Sequence, residues 1–179
     1  MHAGLECVDM SLPAAALIAM LSPNSAWTTS HFAEFRVIGI ETRTSNAREM
    51  TKDGVIGKQW ERFMKEGLLA RIPGKVDSAI VALYTDYASD NDGEYTYILG
   101  ARVSADAAVP EGMVATTVPA GRYAVLTSER GPAMRVVPET WKRIWTASLE
   151  RTYQTDFEVY DERAADPQNA QVDICVGVR

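Results

Sequence analysis

The sequence predicts an α+β fold in which a strand-helix-strand-strand unit occurs twice and builds an antiparallel sheet. Short segments rich in β-branched residues alternate with two amphipathic helical segments. The helical segments share a local pattern, WERF at residues 60–63 and WKRI at residues 141–144. The strands that follow them also match, VALYTD at residues 81–86 and FEVYDE at residues 157–162. We therefore expect two copies related by a pseudo-twofold axis, with two helices on one face of the sheet and a central ligand groove between the halves.

The composition is that of a globular protein. The chain has 179 residues, of which 46% are hydrophobic and 23% charged. These values predict one domain with a buried core and exclude disordered and fibrous classes. The 18 Lys and Arg against 24 Asp and Glu give a formal charge of −6. Because a surface that neutralises phosphates needs clustered Lys and Arg, we expect no direct nucleic-acid partner.

The first unit is predicted at about residues 34–104. It begins with a strand rich in β-branched residues at residues 35–44. An amphipathic helix follows, capped by Asp53 and stopped near Gly67, with Asn46 and Glu49 as an alternative start. Its apolar face consists of Ile56, Trp60, Phe63 and Met64. The unit ends with strands at residues 79–87 and 94–104, joined by an Asp-Gly hairpin loop.

The second unit is predicted at about residues 113–179. Strands at residues 113–118 and 122–128 flank a Pro-Ala-Gly turn. Pro138 then suits the first turn of a helix. The apolar face of that helix consists of Trp141, Ile144, Trp145 and Leu149. Strands at residues 156–163 and 171–178 complete the unit.

Residues 1–31 are expected to form a poorly ordered or loosely docked extension before a domain at residues 32–179. The apolar run at residues 12–21 has the length of a signal-peptide core, which leaves an export signal as the alternative. It lacks a basic leader and is too short to span a bilayer, so we expect no membrane partner. The two cysteines and two histidines show no metal-ligand spacing, so we expect no metal, reduced thiols and a cytoplasmic protein. The residues concerned are Cys7, Cys175, His2 and His31.

The two units differ at one informative position, where Ala82 of the first is replaced by Glu158 in the second. Strand alternation puts Glu158 and Tyr160 on one face and Phe157 and Val159 on the other. If the Glu158 face borders the groove, its carboxylate lies among aromatic rings. A partly desolvated anion favours a raised pKa or a cationic ligand. The alternative is a solvated strand residue paired with an arginine.

Tyr and Trp residues supply candidate walls for such a pocket, since each combines ring area with a polar tip. Each also has a simpler interpretation as a core residue or a solvated strand residue. The candidates are Trp60, Tyr84, Tyr97, Tyr123, Trp141, Trp145 and Tyr160.

From residue 35 to residue 179 the chain resembles the GyrI-like, or AraC-type, effector-binding domain family. The resemblance rests on five motifs in the family's order: the W-x-x-F helix, the YTDY and YTYILG hairpin, VPAGRYAVL, the W-x-x-I-W helix and the F-E-x-Y strand. The chain also looks like the stand-alone, multidrug-binding members of this family that are found in mobile gene cassettes. The resemblance implies a cleft that binds amphipathic, often cationic, aromatic compounds. It implies Glu158 as the acidic pocket residue, with Trp141, Tyr84 and Tyr160 as the first wall positions, and it implies no cofactor.

Two other functions stay open. Some family members are thought to hydrolyse electrophilic aromatic compounds, in which case Glu158 would be a general base and Tyr160 or Tyr84 would orient the substrate. The sequence itself contains no nucleophile elbow, so an enzyme is the less favoured alternative. The third possibility is an interaction module whose acidic surface around the hairpin loop binds a topoisomerase or a transcription regulator. That surface carries Asp86, Asp90, Asp92 and Glu94. A homodimer also stays open.

Overall fold

In the computed structural model, which describes residues 27–179, eight strands form one antiparallel sheet with four α-helices. The strands are β1 (Thr28–Phe32), β2 (Phe35–Ser45), β3 (Ile80–Thr85), β4 (Glu94–Val103), β5 (Val114–Val118), β6 (Gly121–Thr127), β7 (Arg151–Tyr160) and β8 (Asp173–Val178). The helices are α1 (Asn46–Glu49), α2 (Ile56–Lys65), α3 (Leu68–Arg71) and α4 (Ala133–Thr146), and a short 3-10 helix spans Glu162–Ala164.

The strand order is symmetric about the centre of the sheet. The order is β1-β6-β8-β7-β3-β4-β2-β5, so β6, β8 and β7 mirror β2, β4 and β3. The two halves join edge to edge through β3 and β7, and this pairing sets Ala82 opposite Glu158. The predicted α+β class and the doubled strand-helix-strand-strand unit are confirmed.

The sheet is strongly curled. β1 and β2 lie far apart in the strand order, yet only two residues separate Phe32 from Phe35. Three peptide units span at most about 11 Å, so the two strand ends must meet. Both phenylalanine rings lie 5.3 Å from the ring of Phe157 on the central strand β7. The concave face therefore encloses a core of its own, with Val81, Leu83 and Phe157 at its centre.

The helices cover the opposite face. Phe63 of α2, Leu68 of α3 and Ile144 of α4 are each 1% exposed and belong to one cluster with the tyrosines of β3 and β4. This arrangement agrees with the expectation that the helices share one face. It follows that β3 and β7, at the centre of the sheet, lie between two cores.

The first helix is divided where one element was predicted. The side chain of Ser45 caps α1 by accepting from the backbone N–H of Arg48, 3.3 Å away. The Glu49 carboxylate at the end of α1 then accepts the backbone N–H groups of Val55 and Ile56 at 3.0 and 3.1 Å. Glu49 therefore caps α2, and the predicted cap at Asp53 is wrong, because a carboxylate from the preceding turn already satisfies the free donors.

Two further boundaries differ from the prediction. α4 begins at Ala133, so Pro138 lies inside the helix and not in its first turn. β7 begins at Arg151, before the predicted start at residue 156. Its pairing with β8 shifts register between Arg151 and Asp156. Tyr153, within that irregular stretch, has a φ of 52°. Such a bulge breaks the alternation by which a strand is recognised in a sequence.

The predicted extension at residues 1–31 lies mostly outside the described residues, as do Cys7 and His2. Thr28–Phe32 forms β1, which pairs with β6, so the sheet includes the last residues of that segment. Of the helices at residues 27–179, none has the length and apolar character needed to cross a bilayer.

Candidate functional site

Glu158 lies at the centre of the helical face, between the two halves of the molecule. The residue is 1% exposed. The alternation of β7 orients Glu158 and Tyr160 towards the helices, while Phe157 and Val159 join the core of the concave face. The expected division of β7 between its two faces thus agrees with the structure.

Three neutral donors from three elements hold the carboxylate. Tyr84 of β3 donates its hydroxyl to Oε1 at 2.8 Å, and Trp141 of α4 donates Nε1–H to the same oxygen at 2.6 Å. Tyr160 of β7 donates its hydroxyl to Oε2 at 2.7 Å. None of the ion pairs formed by residues 27–179 includes Glu158. The carboxylate is therefore hydrogen-bonded but has no positively charged partner among these residues.

Burial raises the pKa of Glu158 above its ordinary value, and the hydrogen bonds from Trp141, Tyr160 and Tyr84 offset part of that rise. Burial also raises the pKa of Tyr84 and of Tyr160, and the neighbouring Glu158 adds to the effect in both. Both hydroxyls consequently stay protonated at physiological pH and act as donors. The site combines a desolvated acid with neutral donors, which is a charge arrangement that a cation would complete.

The rings of Trp141, Tyr84, Trp60 and Tyr160 form a cage around Glu158, and this cage is nearly symmetric. Trp141 packs against Tyr84 with ring centroids 5.0 Å apart, and Trp60 packs against Tyr160 at 4.8 Å. Each pair joins a helix of one half to a central strand. Ala82, the counterpart of Glu158, has no carboxylate, and this leaves one acid at the axis between the halves.

Tyr97 completes the inner wall. It lies opposite Tyr84 in the pairing of β3 and β4, with ring centroids 5.2 Å apart. It is fully buried, and its hydroxyl has no hydrogen-bond partner among the described residues. Burial first, and Glu158 second, raise its pKa, and a side-chain interaction with Trp60 offsets part of that rise. Tyr97 therefore contributes a ring contact and makes no hydrogen bond to Glu158.

Two of the predicted wall residues lie elsewhere. Tyr123 belongs to the core of the concave face, where it packs against Phe157 at 5.2 Å and donates its hydroxyl to the carbonyl of Pro119. It is thus separated from Glu158 by the sheet. Trp145 is 36% exposed and lies 6.4 Å from Trp141, at the outer margin of the cage. The structure brings together Glu158, Tyr160, Trp141, Tyr84, Tyr97 and Trp60.

Sequence reasoning missed an ion pair beside the cage. Arg151 donates from Nη2 to Oδ2 of Asp156 at 2.5 Å, and the two side chains are 5% and 0% exposed. The Arg151 guanidinium lies 4.4 Å from the ring of Tyr153 and 5.8 Å from that of Trp141. Strand alternation from Glu158 identifies Asp156 as a residue of the same face. No such signal exists for Arg151, because the bulge interrupts the pattern.

The described structure keeps the Glu158 cage closed. Two surface depressions of the described part of the chain lie away from it, one beside Gly121 and Thr152 and the other beside Phe63 and Leu69. Glu158 is covered by Trp141 and the tyrosines that bond it. A ligand that reaches the carboxylate must displace at least one of these neutral donors.

Comparison with known proteins places this architecture in a family. The family Cass2, described as "Integron-associated effector binding protein", matches residues 31–178. The protein YobU of Bacillus subtilis (strain 168) is 39% identical over 153 residues, which cover 84% of this chain and 96% of YobU.

Two solved structures share this fold. The integron cassette protein VCH_CASS2 from the mobile metagenome of Vibrio cholerae superposes with a TM-score of 0.68 at 30% identity, covering 87% of this chain and 97% of that one. SAV2435, solved with bound tetraphenylphosphonium, shares the fold with a TM-score of 0.66 at 17% identity, covering 86% of this chain and 93% of its own. The expected small-molecule-binding class is confirmed, and the chain belongs to the Cass2 family of integron-associated effector-binding proteins.

Proposed function

We propose that this chain binds amphipathic, cationic aromatic compounds at Glu158, and that it senses or sequesters them. The observation that carries the proposal is a carboxylate with 1% exposure, enclosed by aromatic rings and bonded only by neutral donors. Removing an anion from water is costly, and neutral hydrogen bonds recover only part of that cost. A cation adds the attraction that is missing.

The rings favour a flat hydrophobic cation over a small hydrated one. Trp60, Trp141, Tyr84 and Tyr160 present π faces and edges around one charge, and such rings attract organic cations. Burial of ligand surface contributes about 25 cal/mol per Å² whatever its charge, while Glu158 supplies the selectivity for positive charge. SAV2435 supports this ligand class in one respect, since a protein of the same fold binds a lipophilic cation, tetraphenylphosphonium.

Binding requires the cage to open, and Trp141 is the side chain best suited to move. It donates to Glu158 from a helix, whereas Tyr84 and Tyr160 lie on central strands of the sheet. Its neighbour Trp145 is already 36% exposed. We infer that the ligand takes the position of the Trp141 indole against Glu158, exchanging a neutral donor for a cation.

Glu158→Gln tests the proposal directly. We expect it to weaken binding of tetraphenylphosphonium by at least about tenfold in isothermal titration calorimetry, because the charge attraction is lost. Binding of neutral triphenylphosphine oxide should stay within about twofold, since ring contacts remain.

Glu162→Gln is the matched control, because Glu162 is exposed just beyond the same strand. It should change neither affinity. Equal losses for the cation and the neutral compound in Glu158→Gln would contradict the proposal. Turnover of an epoxide or an ester that disappears in Glu158→Gln would favour the hydrolase alternative instead.

A further inference from the structure

The buried charged side chains of residues 27–179 are concentrated on one strand. Among the described residues, the buried charged side chains are Arg151, Asp156 and Glu158, and all three belong to β7. Arg151 and Asp156 pair with each other, so the carboxylate of this group that has no cationic partner is that of Glu158.

Asp156 is close enough to affect a ligand at Glu158. The two residues are two positions apart on the same face of β7, which separates their Cα atoms by about 7 Å. Asp156 is held in place by the hydroxyl of Tyr87 at 2.7 Å and by the backbone N–H of Gly177 at 2.9 Å. Without a cationic partner it would add a second negative charge beside the ligand.

Arg151 reaches the same cage through Trp141. The Trp141 indole bonds Glu158 through Nε1 at 2.6 Å, while its ring lies 5.8 Å from the Arg151 guanidinium. Nε and Nη1 of Arg151 are buried and have no hydrogen-bond partner in the described part of the chain. Unsatisfied buried guanidinium donors cost free energy, so Arg151 is poorly suited to stabilising the bulge alone. Its positive charge is the property that a neutral residue could not supply.

We propose that Arg151 is a specificity-determining residue that sets the charge preference of the Glu158 site to a single positive charge, because it cancels the charge of Asp156. The inference rests on the proposed function and adds the ligand's charge number to it. A dication entering the present site would keep one charge uncompensated in a desolvated cage, at a penalty that a monocation avoids.

A ligand series matched in shape tests this in the full-length protein: neutral bipyridine, its N-methyl monocation and its N,N′-dimethyl dication. Affinities are measured by calorimetry at about pH 8, well above the ordinary pKa of a carboxyl group. Arg151→Met should raise the affinity ratio of dication to monocation by about tenfold, since it leaves Asp156 uncancelled. Asp156→Asn should lower the same ratio by about tenfold, and the double variant should restore the wild-type ratio.

Asp156→Asn preserves the shape of the side chain and still offers an oxygen to the N–H of Gly177. It therefore carries the test alone if near-UV circular dichroism shows that Arg151→Met is unfolded. Ratios within about twofold of wild type in the folded single variants would overturn the inference, because a purely structural ion pair has no reason to shift them by charge. The proposed function is judged separately, by whether the wild-type protein prefers the monocation to neutral bipyridine.

Discussion

Two of the three donors that stabilise Glu158 come from outside its own strand. Only Tyr160 is a neighbour on β7, while Tyr84 comes from β3 and Trp141 from α4. Both oxygens accept a bond, which is the condition for keeping a buried carboxylate without a salt bridge. Each donor is therefore a structural residue in the closed state as well as a candidate ligand contact.

Tyr84 and Tyr97 offer a matched comparison, since they face each other across β3 and β4 and only Tyr84 bonds Glu158. Tyr84→Phe should destabilise the protein by about 1–3 kcal/mol, because Glu158 loses one of its donors. Tyr97→Phe should leave stability unchanged or raise it slightly, because it removes a buried hydroxyl that has no partner among the described residues. Urea unfolding measures both, and similar losses in the two variants would contradict the described hydrogen bonding.

Glu158 also makes stability depend on pH. Burial raises its pKa in the folded protein above the ordinary 4.5, although its hydrogen bonds lower it in part. Between the unfolded and folded pKa values the native state binds more protons than the unfolded state, so stability falls as pH rises through that window. We expect wild type to lose stability relative to Glu158→Gln as the pH rises above about 4.5, until the folded pKa is passed.

Denaturant unfolding of both proteins over this pH range measures the effect. A difference in unfolding free energy that does not change with pH would show that burial does not perturb the Glu158 titration.

At the scale of elements, β7 is the strand that makes the site. It carries the three buried charges and pairs with both β3 and β8, and its bulge at residues 151–156 turns Arg151 back towards Asp156. A bulge commonly redirects a side chain in this way. The regular part of the strand holds Glu158 and Tyr160, and the irregular part holds the ion pair beside them.

The pairing of β2 and β4 depends on two glycines that face each other, Gly39 and Gly100. A Cβ on Gly100 would lie 2.0 Å from the carbonyl oxygen of Ile38, and one on Gly39 would lie 2.3 Å from that of Leu99. A side chain does not fit at either position of this pair in the two strands.

Gly100→Ala should therefore destabilise the protein by about 2 kcal/mol or more, because backbone atoms must move apart. Gly57→Ala is the control, since a Cβ in that helical position meets nothing within 4 Å. It should stabilise the protein by up to about 1 kcal/mol through helix propensity. Thermal unfolding of the two variants checks both directions, and a harmless Gly100→Ala would contradict the close packing of β2 against β4.

At the scale of the whole molecule, the axis between the halves explains why the site has one acid. Ala82 and Glu158 lie directly opposite each other in the register of β3 and β7. Glutamates at both positions would have Cβ atoms about 5 Å apart and would repel in a buried environment. A small residue on one side leaves room for the Glu158 carboxylate, and the ring pairs Trp60–Tyr160 and Trp141–Tyr84 keep the rest of the cage nearly symmetric.

The curl of the sheet places this cage on the helical face alone. The short connections from β1 to β2 and from β5 to β6 bring the ends of the sheet together over Phe157. The concave face is filled by its own core, and Tyr123 belongs to it. The helical face remains for α2 and α4, and Trp141 of α4 bonds Glu158 there.

The sequence by itself determined the doubled α+β pattern, the positions of β2 to β6 and of β8, and the placement of Glu158 and Tyr160 on one face of β7, because periodicity and alternation are local properties of a chain. It also supplied the residue types of the cage. Only the tertiary structure decided that Tyr84 and Trp141 donate to Glu158, that Tyr97 does not, and that Tyr123 lies across the sheet. Those outcomes depend on the register of β3 against β7 and on the curl of the sheet. The Arg151–Asp156 pair depends on a bulge, and the cap of α2 on Glu49 depends on a turn. These features depend on contacts in the folded chain, and a local sequence pattern does not predict such contacts.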